Sequence, residues 1–155
     1  AEYDALVRDR PNRVERRGRD HLAGAVAFHE GRLQDAVRLL DSGFYAGPPP
    51  IQNEEDDWAR ARAHLAVGDR EVGLALLQRV VSRGPYAGDS QIAFSAMVLL
   101  AKQYEAAGKS DEALDLYRRV IHQYRMADWP VPANEEAKAA IARLERARAQ
   151  AAADR

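Results

Sequence analysis

The sequence predicts an all-α chain, a short solenoid of three helical hairpins closed by one last helix. Composition is the first ground for this. Ala, Leu, Glu, Arg and Lys supply 78 of 155 residues, and these side chains lose little rotamer freedom in a helix. The second ground is a thin β-branched stock, with no Thr, 11 Val and 4 Ile, which argues against sheet. The third is an internal repeat. Phe28-x-x-Gly31, Ala36 and Leu39-Leu40 return 37 residues later as Leu65-x-x-Gly68, Gly73 and Leu76-Leu77. Forty residues beyond Gly68 and Gly73 stand Gly108 and Ala113, followed by Leu116-Tyr117 and Val120-Ile121. A period of this length marks stacked supersecondary units.

The repeat sets the elements in order. Each unit reads as a helix, a turn at Gly and a second helix. Gly31, Gly68 and Gly108 are placed to end the first helix of a unit in the left-handed conformation. The predicted helices span roughly 13–30, 33–42, 54–67, 70–83, 90–107, 110–125 and 134–152, with a short one within 2–10. Asn53 is expected to cap the acidic turn Glu54-Glu55-Asp56-Asp57. Asp89 or Ser90 is expected to cap the fifth helix and Ser110 the sixth, while Asn134 opens the last. The last helix carries one apolar stripe, Ala137, Ala140, Ile141, Leu144, Ala147 and Ala151, suited to covering the end of the stack. Gly43 to Pro50, Arg83 to Gly88 and Met126 to Ala133 read as loops. No linker divides the chain. One domain is expected over 1–155, with repeats at about 13–50, 51–88 and 89–126 and a capping helix at about 134–152.

Several function classes are excluded or weakened. The chain has no Cys, so disulfides, thiolate metal sites and Cys nucleophiles are out. A net charge of −1 gives no field to attract nucleic acid or anionic lipid. The longest apolar run, Ala96 to Ala101, is too short to span a bilayer. The absence of Cys does not fix a compartment, and both a bacterial cytoplasm and a periplasm stay open. The chain opens at Ala1 rather than Met, as expected after removal of a segment. The excess of Arg and Ala reads as the codon usage of a GC-rich genome.

Chemistry-bearing groups are sparse. His21, His29, His64 and His122 lack the i,i+4 spacing of a helical metal pair, and surface or half-buried histidines are expected. Ser42, Ser90 and Ser110 sit at helix ends, where capping explains them, and no Gly-x-Ser-x-Gly turn is present. Gly84 to Gly88 is a turn between units, not a phosphate loop. Glu54 to Asp57 fits a helix start better than a cation site. Arg13, Arg16, Arg17 and Arg19 alternate with Glu15 and Asp20 and fit a solvated helix face. No catalytic residue, metal or cofactor is expected.

The small and aromatic positions resemble the tetratricopeptide repeat (TPR). The third unit carries the pattern most fully: Leu100-Ala101-x-x-Tyr104-x-x-x-Gly108-x-x-x-x-Ala113-x-x-x-Tyr117. The second supplies Trp58, Ala61, Leu65, Gly68, Gly73 and Pro85, with a turn one residue shorter. The first supplies Gly24, Phe28, Gly31 and Ala36. The C-terminal stretch Ala113-x-x-x-Tyr117-x-x-Val120-Ile121-x-x-Tyr124, with Ala137, Ile141 and Leu144, is also similar to bacterial cell-envelope repeat proteins associated with Tol-Pal or outer-membrane assembly. Their units often end in Tyr-Pro-x-Ser, where this chain has Tyr124-Arg125-Met126-Ala127.

The resemblance implies a right-handed α-solenoid and a non-catalytic interaction scaffold. Small residues at 36, 73 and 113 would mark helix crossings, and Phe28, Leu65, Tyr104 and Tyr117 would fill the gaps. Tyr104 and Tyr117 should be mostly buried. A peptide or partner protein would lie in a concave groove offering Val98, Lys102 and Glu105 from unit three, Trp58 and Arg62 from unit two, and His21 or Leu22 from unit one. Trp58 is also readable as core. Arg62 and Lys102 carry charges that the fold does not need on this reading. Lys102 alone does not make the Lys and Asn grip of chaperone-tail binders. The alternative is a regulatory or oligomerisation segment that docks on a neighbouring domain or forms a homodimer.

Overall fold

The computed structural model describes residues 13–42, 54–84, 90–125 and 131–154. Among the described residues there are seven helices and no strand. They are α1 (Arg13–His29), α2 (Leu33–Ser42), α3 (Glu54–Ala66), α4 (Arg70–Arg83), α5 (Ser90–Ala106), α6 (Ser110–Gln123) and α7 (Pro132–Ala153). Every predicted helix between residues 13 and 153 is present, with ends displaced by at most two residues. The expected helix within 2–10, the caps at Asn53 and Asp89, Pro85 and most of the loop residues lie outside the described residues.

The three hairpin turns share one backbone design. Gly31, Gly68 and Gly108 take φ of +77°, +87° and +74°. At each, the Gly N–H bonds three residues back, to the carbonyls of Phe28, Leu65 and Glu105. The following N–H reaches five residues back, Arg32 to Ala27, Asp69 to His64 and Lys109 to Tyr104, each at 2.9 Å. This is the Schellman arrangement, which satisfies the last carbonyls of a helix. The next helix begins two residues after the Gly in all three units. The second turn is therefore not shorter than the others. The aromatic position moves instead, lying three residues before Gly at Phe28 and four before Gly at Tyr104.

Two expected caps are corrected. Ser110 is the first residue of α6, and Lys109 precedes it with no side-chain cap. The carbonyl of Lys109 accepts from the Ala113 N–H at 3.1 Å. α7 begins at Pro132 rather than Asn134, after an extended Val131. The N–H groups of Asn134 and Glu135 bond the Val131 carbonyl. Pro132 sits in the first turn, where its missing N–H would have no partner in any case.

The fold divides into two compact units, with the division inside α4 after Leu76. In the first unit α1 and α2 form a hairpin, and α3 packs on α2 and touches α1. Its core joins Ala27, Ala36, Leu40 and Ala63, with Phe28, Val37, Leu39 and Ala59 against it. Close approach is enforced twice. A Cβ on Gly24 would fall 2.7 Å from Leu40 Cγ, and one on Gly73 would fall 2.6 Å from Leu65 Cγ. Ala36 is fully buried, as a crossing position requires.

In the second unit α5 and α6 form a hairpin, and α7 packs on α6 and on α5. Ala113 is fully buried and Tyr117 is 1% exposed. The Phe94 and Tyr124 rings lie 4.3 Å apart between centroids, tilted by 52°. Tyr104 is only half-buried, because its hydroxyl accepts a hydrogen bond from exposed Gln78 at 3.0 Å. On α7, Ala137 and Ala140 are buried and Ile141 and Leu144 half-buried, but Ala147 and Ala151 are exposed. The expected stripe thus stops short. α7 has 22 residues and runs back along the 14 of α6. Arg118 meets Glu145, and Asp111, in the first turn of α6, meets Arg148. Residues beyond 148 overrun the partner helix.

Candidate functional site

In the first unit α3 sets Trp58 and Arg62 one turn apart, hence on one face. The Arg62 guanidinium carbon lies 4.7 Å from the Phe28 ring centroid of α1 and 5.5 Å from that of Trp58. All three side chains are half-buried. Aromatic faces attract and orient a guanidinium. Among the described residues no carboxylate or carbonyl accepts from it. The charge is therefore not idle in the fold, and among the described residues its hydrogen-bonding fork is not consumed.

The acidic turn at the start of α3 is more deeply placed than a solvated helix start. Glu54, Asp56 and Asp57 are buried and only Glu55 is exposed. Asp56 pairs with His21 at 2.9 Å, so His21 is tied to α3 while Leu22 is 67% exposed. His64 is also buried, against expectation. Its Nδ1 lies 2.9 Å from Asp69 and its Nε2 3.2 Å from Asp41. Arg60 Nε donates to the same Asp41 at 2.7 Å. This network ties α2 to α3. Among the described residues no three His, Asp or Glu side chains are grouped to hold a metal ion.

In the second unit the expected groove positions Lys102 and Glu105 line a cleft of about 490 Å³, with Tyr117 of α6 and Glu136, Ala140 and Arg143 of α7. Lys102 pairs with Glu136. Glu105 receives three hydrogen bonds: from Arg143 Nη2 at 2.7 and 3.0 Å and from the Tyr117 hydroxyl at 2.7 Å. Burial alone would raise the Glu105 pKa, but the bonds from Arg143 and Tyr117 outweigh it and hold the carboxyl below its ordinary value. Burial first, and then the bond to the Glu105 carboxylate, push the Tyr117 hydroxyl well above the usual phenol range. Bonding to Glu105 raises Arg143. The cleft is thus a wall of fixed, paired charges with small Ala residues between them. Lys102 is engaged with the last helix, contrary to the expectation that its charge is unneeded. Val98 is 5% exposed and part of the core, so its side chain adds nothing to that wall.

The comparisons bear on the fold. No family model matches the chain, and no curated protein does. Solved structures do. The chain is similar to nearly identical TPR-like repeats from a Podosopora anserina kinesin light chain candidate, with a TM-score of 0.76 at 20% identity, over 96% of this chain and 74% of that one. It is also similar to MamA, with a TM-score of 0.59 at 17% identity, over 97% of this chain and 86% of that one. The fold is TPR-like. The narrower likeness to cell-envelope repeat proteins gains no support from these two structures. Among the described residues no helix is long and apolar enough to cross a membrane.

The sequence named Trp58, Arg62, Lys102 and Glu105 but missed their partners. Phe28 as the shelf under Arg62, and Glu136 and Arg143 as charges facing α5, were not anticipated. Glu136 and Arg143 are seven residues apart, two helical turns on one face, which is the signal that could have found them.

Proposed function

We propose that the chain is a non-catalytic interaction scaffold that binds a peptide or protein segment, and that the face carrying Trp58 and Arg62 in the first unit and the cleft of Lys102 and Glu105 in the second are each a binding surface. The TPR-like fold supports the general class. The observation that carries the reading is Arg62: a guanidinium held against two aromatic rings with no acceptor among the described residues. Such a group is preorganised for a carboxylate, since little side-chain freedom remains to be lost on binding. An acidic segment with an aromatic or aliphatic neighbour fits it. In an anisotropy titration with a labelled Asp- and Glu-rich peptide, Arg62→Ala combined with Lys102→Ala should weaken binding by about tenfold. The loss should be greater at low salt than at high salt. Equal binding by parent and double variant rejects these positions.

The exposed pair Leu22 and Val26, 67% and 53% accessible on successive turns of α1, favours a second reading in which this face docks on a neighbouring domain or a second copy. Sedimentation of the parent beside Leu22→Asp tests it, since a homodimer interface there would give the parent, and not the variant, the mass of two chains.

A further inference from the structure

A second cleft, of about 760 Å³, opens in the second unit between the end of α4 and the helices α5 and α6. None of its lining residues appears in the reading above. Its floor is apolar: Val81, Leu100 and Leu116 are 7%, 2% and 5% exposed, with half-buried Tyr104 beside them. One edge is acidic, formed by Glu112 and Asp115, both exposed. Neither has a cationic partner among the described residues, whereas Asp111 beside them is taken by Arg148 at 3.0 Å. Glu112 lies in the first turn of α6, where an acid favours the helix dipole. Asp115 lies beyond that turn and has no such role. Arg119, one turn further along the lining, gives the cleft a polarity from acidic to basic.

We propose that this cleft docks a basic segment of a partner protein. One aliphatic side chain of the segment rests on the half-buried ring of Tyr104, above the buried Leu100 and Leu116, and a neighbouring Lys or Arg faces Glu112 and Asp115. Charge complementarity selects the occupant, because two unpaired carboxylates at the rim repel an acidic peptide or a nucleic acid and attract a cation. The half-buried ring of Tyr104 supplies what the charges lack, an apolar surface whose further burial adds affinity at any ionic strength. A cleft of this volume is within the range that holds compact ligands.

The test uses the full chain and a fluorescein-labelled probe peptide with the core Arg-Lys-Leu-Leu-Arg. The parent should bind it. Glu112→Lys with Asp115→Lys should weaken binding by about tenfold or more, and the neutral pair Glu112→Gln with Asp115→Asn by an intermediate factor. A control with the same change in net charge, Glu55→Lys with Glu71→Lys, should stay within about twofold. A probe with both Leu replaced by Ser should bind about tenfold more weakly to the parent. Thermal melts establish that each variant is folded, and the neutral pair keeps the test valid if the reversed pair is not. The proposal is overturned if the parent fails to bind, if the control loses as much as the cleft variants, or if the Ser probe binds as well as the Leu probe.

Discussion

Gly73→Ala is the sharpest test of the packing, because two effects of opposite sign compete there. Gly73 is in a helix with an ordinary backbone, so Ala should stabilise by roughly 0.8–1.0 kcal/mol through helix propensity. The new methyl would sit 2.6 Å from Leu65 Cγ, 2.7 Å from its Cδ2 and 3.3 Å from the Ala61 carbonyl oxygen. Leu65 must leave its position, and overpacking of this kind costs about 1–3 kcal/mol. The net result is a loss of up to about 2 kcal/mol, a fall in Tm of up to about 8 °C for a chain of this size. Gly18→Ala is the counterpart. Nothing lies within 4 Å of the added carbon, so only the propensity gain of about 1 kcal/mol remains. In a Leu65→Ala background the obstruction is gone and Gly73→Ala should become stabilising. Calorimetry of the four variants decides the matter. Gly73→Ala raising Tm as Gly18→Ala does would refute the close approach, and with it the role given to position 73.

Other outcomes follow from the same geometry. Ala113→Leu, at a position with no accessible surface, should cost about 1–3 kcal/mol in chemical denaturation. His64→Ala should cost about 1–3 kcal/mol, since it removes a buried ring and its contacts with Asp69 and Asp41. Glu105 has a depressed pKa in the folded state. Its contribution is therefore present above the ordinary carboxylate value and lost as pH falls through the lower folded value. Glu105→Gln should flatten the acid side of the Tm–pH curve relative to the parent, and an unchanged slope would contradict the depressed value.

What the sequence revealed and what it hid divide along a physical line. Helix existence and turns were legible because Gly at fixed intervals and the acidic or small residues around it act locally. The positive φ at Gly31, Gly68 and Gly108 needs nothing beyond the turn itself. Side-chain partners were not legible. Lys102 was assigned a free charge because its acceptor, Glu136, is 34 residues away and meets it only once α7 packs. Val98 was placed in a groove by its resemblance to the repeat pattern, four residues before Lys102, yet at 5% exposure it belongs to the core between the helices. His64 has no spacing signal of its own. Its two acids come from a neighbouring helix and from the turn that follows.

The manner in which α7 is attached has a consequence for ionic strength. Ala137 and Ala140 are its buried contacts, both small, and the larger Ile141 and Leu144 are only half-buried. Around them runs a fence of charges: Glu136 to Lys102, Arg143 to Glu105, Arg148 to Asp111 and Glu145 to Arg118. A seam built this way has little apolar area holding it and much that salt can screen. The last helix should therefore open on its own, ahead of the hairpin beneath it, as salt rises. Amide exchange along α7 would then quicken with added salt while α5 and α6 stay protected. The edge of the fold becomes a hinged leaf whose closure is tuned by the surrounding electrolyte, and the Tyr117 hydroxyl is what it uncovers when it swings away.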